Sequence, residues 1–203
     1  AALFGRQPTH PVTRALLPFI DGPFGITRER MLAILEGMET DLRQNRYLDF
    51  AALRRYAHLV AGVVGEISAA VFGYSDPRTL EYAGRLGLAL QLINVIRDVG
   101  DDARRGRVYL PVDELQRFGV RAADLLNGRY VDGFVPLMRF QAERARLTYR
   151  EALELLPAAD RRAQRPGLIM GAIYATLLEE IERGNFQVLH HRVALTPLRK
   201  LWI

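Results

Sequence analysis

The chain has 203 residues, of which 49% are hydrophobic and 25% charged, values that suit one globular domain with a substantial core. It contains no cysteine, which excludes disulfides and cysteine-ligated metals and is compatible with a reducing cytoplasm. No run of about 18 apolar residues occurs, so no segment is expected to span a membrane, and the first residues lack the pattern of a signal peptide.

Read in order, the sequence predicts an almost entirely helical chain. A short apolar helix begins at Pro11 and runs over 11–20. A second begins at Thr27 and covers 27–45, with Met31, Ile34, Leu35, Met38 and Leu42 at helical spacing. The third, 49–73, has Asp49 as its N-cap. The fourth, 77–103, follows Ser75 and Asp76 with Pro77 in its first turn. Gly106 then breaks the chain before an extended VYLP. Short helices follow at 113–118 and 121–126, the first ended by Gly119. Long helices cover 129–155 and 166–184, and the remaining tail is mixed. No paired alternating runs joined by tight turns are present. Long helices with short connections predict an all-α helical bundle, with residues 1–203 as a single domain.

The stretch GLALQLINVIRDVGDDARRGRVYLP, residues 87–111, carries the most chemistry. At about 100° of rotation per residue, Gln91, Asn94, Asp98, Asp101 and Asp102 fall on one side of the helix. Leu90, Ile93 and Ile96 lie mainly on the others. Asp98 and Asp102 sit one turn apart, where two unpaired carboxylates repel and a divalent cation removes the repulsion. Asn94 can ligate or orient, and Gln91 suits hydrogen bonding. Arg97, Arg104, Arg105 and Arg107 surround the acids, and arginine with a metal is suited to holding a diphosphate. The plain alternative is a solvated acidic helix end with ordinary surface pairs. The net charge of +5 also admits nucleic acid, but no zinc-finger spacing, RNA-binding signature or basic zipper occurs, so none is expected.

A second informative stretch is YAHLVAGVVGEISAAVFGY, residues 56–74. Gly62 and Gly65 lie in mid-helix, each costing about 1 kcal/mol relative to alanine. Ala57, Ala61, Gly65 and Ala69 form a small face one turn beyond Tyr56. That face serves either close helix packing or the wall of a narrow apolar tunnel. In the tunnel reading Tyr56 places a phenol in an oily site, able to orient a diphosphate, pass a proton or face a carbocation. His58 is expected to pack in the core or against a neighbouring helix.

Together these stretches resemble the squalene and phytoene synthase family. YAHLVAGVVG resembles one family segment, LQLINVIRDVGDDARRGRVYLP its second aspartate-rich motif, GMETDL at 37–42 a third segment, and IYATLLEEIERGNFQVLHHRVAL from Ile173 its closing helix and tail. The resemblance implies an isoprenoid synthase fold, a helical bundle around a central cavity. It implies Mg²⁺-dependent head-to-head condensation of two prenyl diphosphates, through an allylic cation and a proton loss that closes a cyclopropane ring. By the same resemblance Asp98, Asp102 and Asn94 bind Mg²⁺. Gln91, Arg97, Arg107 and Tyr174 contact substrate, Tyr56 is the catalytic tyrosine, and Tyr174 and Arg192 close the cavity.

The segment DVGDDARRGRVYLP, with RKLWI near the end, is most similar to bacterial presqualene diphosphate synthases, which implies farnesyl diphosphate as substrate. Phytoene synthases, acting on geranylgeranyl diphosphate, share most of these residues and stand as the alternative. A non-catalytic helical binding protein of the same fold is a further one. The family's first aspartate-rich motif does not occur in residues 1–36, so the chain is expected to lack an N-terminal part. Trp202, with Arg199 and Lys200, suggests peripheral membrane contact of a cytoplasmic protein.

Overall fold

The computed structural model describes residues 3–20, 22 and 24–202. Its helices are α1 (Pro11–Leu16), α2 (Arg28–Arg43), α3 (Phe50–Ala57), α4 (Val63–Phe72), α5 (Arg78–Arg97), α6 (Val99–Arg104), α7 (Val112–Arg117), α8 (Ala122–Leu126), α9 (Phe134–Leu155), α10 (Arg165–Arg183) and α11 (Pro197–Leu201). Among the described residues the only extended pairings are two isolated bridges. The all-α bundle is therefore present.

α5 is the central helix. Leu86, Leu88, Leu92, Ile93, Val95 and Ile96 are all buried on it. It packs chiefly along α9 and also against α4 and α10. α9 meets it through Leu137, Met138, Ala142 and Ala145, each fully buried. Those residues recur at three- and four-residue spacing, the pattern that lays one helix along another. Each large apolar side chain buried here contributes about 1.5–3 kcal/mol.

Two predicted helices prove to be interrupted. The 49–73 segment starts at its Asp49 cap, whose side chain accepts from Ala52 N at 2.8 Å. It then carries a π-helical turn at His58–Gly62 between α3 and α4. One extra residue in the turn shifts the facing of everything beyond it, a departure from period 3.6 that pattern reading does not detect. The 77–103 segment bends at Asp98 (φ −98°, ψ 9°), where α5 passes into α6. The hydrogen-bond ladder continues through the bend, with Asp98 N bonded to Asn94 O and Asp102 N to Asp98 O. Asp98 and Asp102 thus stay one turn apart.

The 129–155 helix begins at Phe134, after a turn that follows Gly128 at φ 63°. On α2, Leu35, Met38 and Leu42 are exposed, contrary to the expected apolar face, and Gly37 points inward instead. His58 is exposed as well, not in the core; its ring lies over Gly62.

The glycines of α4 and α5 are explained by contact. A Cβ on Gly65 would lie 2.5 Å from the Ala83 carbonyl oxygen, and one on Gly87 2.4 Å from that of Ala61. The small face therefore brings two backbones together, as one of its two readings required. The N-terminus of α5 is held by Asp160, itself 3% exposed. It accepts from Ser75 N and Oγ, Asp76 N and Thr79 Oγ1 at 2.6–3.0 Å.

Candidate functional site

The extended VYLP segment fixes one wall of the site. Val108 N donates to Asn45 O and Val112 N to Tyr47 O, which sets Tyr47 beside Tyr109. α3 adds Tyr56. The three rings lie 5.3–5.7 Å apart, centroid to centroid. Asp41, near the end of α2, joins two of them. Its Oδ2 accepts from Tyr56 Oη at 2.8 Å and its Oδ1 from Tyr109 Oη at 2.7 Å. Burial, and then the Asp41 carboxylate, push the Tyr56 phenol far above its usual range; the same two causes raise Tyr109 to about 12. Both phenols therefore keep their protons.

Opposite the tyrosines stands the end of α5. Tyr56, Tyr109, Gln91, Asn94, Val95, Arg97, Asp98 and Asp102 line one polar pocket of about 170 Å³. Asn94 Nδ2 donates to Gln91 Oε1 at 3.3 Å, which leaves the Asn94 Oδ1 buried and without a partner. An orphaned amide oxygen is costly unless something binds it.

The two aspartates differ. Burial pushes Asp98 up, but guanidinium bonds from Arg97 (2.5 and 2.7 Å) and Arg192 (2.8 Å) outweigh it and hold the carboxyl below its usual range. Asp102 has no such partner: burial, and then the Asp98 charge, push it up to about 6. A half-buried carboxylate and an unpaired amide oxygen on one face are what a hard cation requires. Among the described residues no group of three or more acidic, histidine or cysteine side chains converges. The oxygen donors are two carboxylates and one amide, and they fit a Mg²⁺ ion that also takes substrate oxygens.

The polar pocket adjoins an apolar cavity of about 380 Å³ between α4, α5 and α10. Gln91 and Asn94 line both. From them the wall descends through Leu90, Gly87, Leu86, Ala83 and Tyr82 on α5 to Ser68, Ala69 and Phe72 on α4. Tyr174 and Met170 line the cavity from α10. Twelve residues of α5 separate Asn94 from Tyr82, a span of about 18 Å.

Of the residues singled out by sequence, Tyr56, Gln91, Asn94, Arg97, Asp98 and Asp102 thus share one pocket, and Tyr174 sits at the adjoining cavity. Arg97 is turned onto Asp98. Arg107 lies apart from the pocket wall and donates to the Asp41 carbonyl oxygen at 3.0 Å. Asp101 pairs with Arg104 and, with Asp98, Asp102 and Arg192, lines a second polar pocket beside the first. Trp202 is 91% exposed, while Arg199 pairs with Glu180.

Asp41, Tyr47 and Tyr109 escaped sequence reading. Asp41 belongs to the GMETDL stretch, Tyr109 to VYLP and Tyr47 to the link between α2 and α3, and nothing in their spacing connects positions so far apart in the chain.

The helical bundle thus sets an apolar cavity beside a pocket of carboxylates, amides and a guanidinium. The sequence matches squalene/phytoene synthase over residues 2–199, and the chain belongs to that family. It is 37% identical to a phytoene synthase of Arthrospira platensis, over 98% of this chain and 69% of that protein. It is 40% identical to a chloroplastic phytoene synthase of Zea mays, over 83% of this chain and 41% of that protein. In structure it is similar to a dehydrosqualene synthase solved with a ligand (TM-score 0.82, 28% identity, 98% of this chain and 70% of the other). It is similar also to a squalene synthase of Alicyclobacillus acidocaldarius (TM-score 0.79, 26% identity, 91% and 70%).

These relatives correct one expectation. The presqualene diphosphate assignment, with farnesyl diphosphate, is overturned: curated relatives from 34% to 40% identical are phytoene synthases. The error has a physical source. The DVGDDARRGRVYLP segment lies at the polar end, and a diphosphate head looks the same whatever chain it carries. That motif does not line the apolar cavity.

Proposed function

We propose that the chain is the core of a phytoene synthase, joining two geranylgeranyl diphosphates head to head. The observation that carries this is the continuity of the polar pocket with an apolar cavity through Gln91 and Asn94. The phytoene synthases among its relatives support the longer substrate.

In this reading the diphosphate lies in the polar pocket and the prenyl chain in the cavity. Asp98, Asp102 and the free Asn94 oxygen would hold Mg²⁺, which would supply positive charge to the departing diphosphate. Arg97 and Arg192, both bonded to Asp98, stand where guanidiniums can bind phosphate oxygens. The apolar lining of the cavity offers the allylic cation few nucleophilic groups. Tyr56 and Tyr109 line the polar pocket beside it.

The test is incubation with geranylgeranyl diphosphate and Mg²⁺, with products identified by mass spectrometry. A C40 hydrocarbon that disappears in Asp102→Asn is the expected result. A folded protein that binds the substrate and releases no condensation product would leave a binding protein instead.

A further inference from the structure

One carboxylate in the site has neither a cation nor a metal role. Asp41 comes from the GMETDL stretch, whose purpose spacing did not reveal. Both of its oxygens are taken by phenols, Tyr56 at 2.8 Å and Tyr109 at 2.7 Å. A half-buried carboxylate is more cheaply served by water or a guanidinium. Arg107 is close, yet it bonds to the Asp41 main-chain oxygen and not to the carboxylate. The arrangement fixes the direction of the Tyr56 proton: it points at Asp41. The Tyr56 oxygen, which lines the same pocket as Asp98 and Asn94, is left to the substrate as an acceptor.

We infer that Asp41 is the proton acceptor of the condensation, acting through Tyr56. The inference rests on the proposed condensation. After the new carbon–carbon bond forms, the C–H bond beside it breaks, and its electron pair closes the three-membered ring. The proton passes to Tyr56 Oη while the proton of Tyr56 passes to Asp41 Oδ2. The tyrosine is neutral before and after. A carbocation and a carboxylate become two neutral groups, a favourable exchange in a half-buried site. Tyr109 holds the other oxygen, so Asp41 need not move. Asp41 is thus a positioning residue and proton sink, and Tyr56 the group that touches substrate.

The test compares Asp41→Asn and Asp41→Glu with the wild type, using geranylgeranyl diphosphate carrying hydrogen or deuterium at carbon 1. Binding of a prenyl ammonium compound, which imitates the cation, is measured beside an uncharged prenyl analogue. In Asp41→Asn, kcat is expected to fall about 100-fold or more with KM little changed. A deuterium isotope effect emerges as proton loss becomes limiting. Affinity for the ammonium compound falls about tenfold and that for the neutral analogue holds. Asp41→Glu restores part of the rate. Asp41→Glu, which keeps a carboxylate, carries the test if Asp41→Asn does not fold: a folded Asp41→Glu that loses rate without an isotope effect overturns the inference. Equal loss of both analogues in Asp41→Asn, without an isotope effect, overturns it as well and leaves Asp41 a packing residue. A wild type that makes no product and binds the ammonium compound no better than the neutral one sinks the condensation reading and takes this assignment with it.

Discussion

The two ends of the ligand space are built on different principles. At the polar end, Asp98, Asp102, Asn94 and Arg97 crowd into about 170 Å³, and each group is selected by charge and direction. At the far end, Ser68, Ala69, Phe72 and Tyr82 line a cavity of about 380 Å³ in which shape is nearly everything. A charged site tolerates little change in chemistry, because a misplaced charge half out of water is costly. An apolar cavity accepts many side chains of suitable volume, because contact is not directional.

Breaking the polar end should have the largest effect. Asp102→Asn keeps the volume and removes the charge that a cation needs, and turnover is expected to fall about 1000-fold. Steady-state product formation under saturating Mg²⁺ checks this. A loss below tenfold would remove Asp102 from the metal set.

The wall between the ends comes next. In Gly87→Val the new side chain meets the Ala61 carbonyl oxygen, and the loss of stability is expected to be about 3 kcal/mol. Urea unfolding with an unchanged m-value would confirm a packing effect confined to the native state.

At the far end, Ser68→Phe fills the lower cavity. It is expected to reduce kcat/KM for geranylgeranyl diphosphate about tenfold relative to a chain one isoprene unit shorter. An unchanged ratio would mean that the chain does not reach Ser68.

pH separates the ends further. The raised carboxyl of Asp102, at about 6, binds protons in the folded state at a pH where the unfolded chain has lost them. Without metal, stability contributed at this position therefore falls as pH rises from about 4 through 6. Asp102→Asn should remove that slope, and thermal melts from pH 4.5 to 8 will read it. Mg²⁺ affinity should rise over the same range as Asp102 ionises; titration calorimetry at pH 5 and 7 measures it.

The smallest effect belongs to Asp101, whose carboxylate is already paired with Arg104 and is absent from the pocket that holds Asn94 and Tyr56. Asp101→Asn should leave activity within about twofold and stability within about 0.5 kcal/mol. A large loss would extend the working face of the helix outward.

Local chemistry was legible where neighbours in sequence are neighbours in space. The i, i+4 relation of Asp98 and Asp102, the polar face that adds Gln91 and Asn94, and the caps at Thr27 and Asp49 all follow from helical geometry alone. The carboxylate of Asp41 could not be placed in this way. It meets Tyr109 across 68 positions and Tyr56 across 15, through the pairing of residues 45–48 with the VYLP segment and the approach of α2 to α3. Neither the π turn at His58–Gly62 nor the exposure of Leu35, Met38 and Leu42 departs from a pattern that a one-dimensional reading can detect. Periodicity says which residues share a face, and it is silent on what that face meets. The helices and the acidic polar stripe were therefore written into local order. The aromatic wall, the pairing of Asp98 with Arg192 and the depth of the cavity arose only when distant segments packed, because burial and hydrogen bonding at those points depend on partners that no single stretch contains.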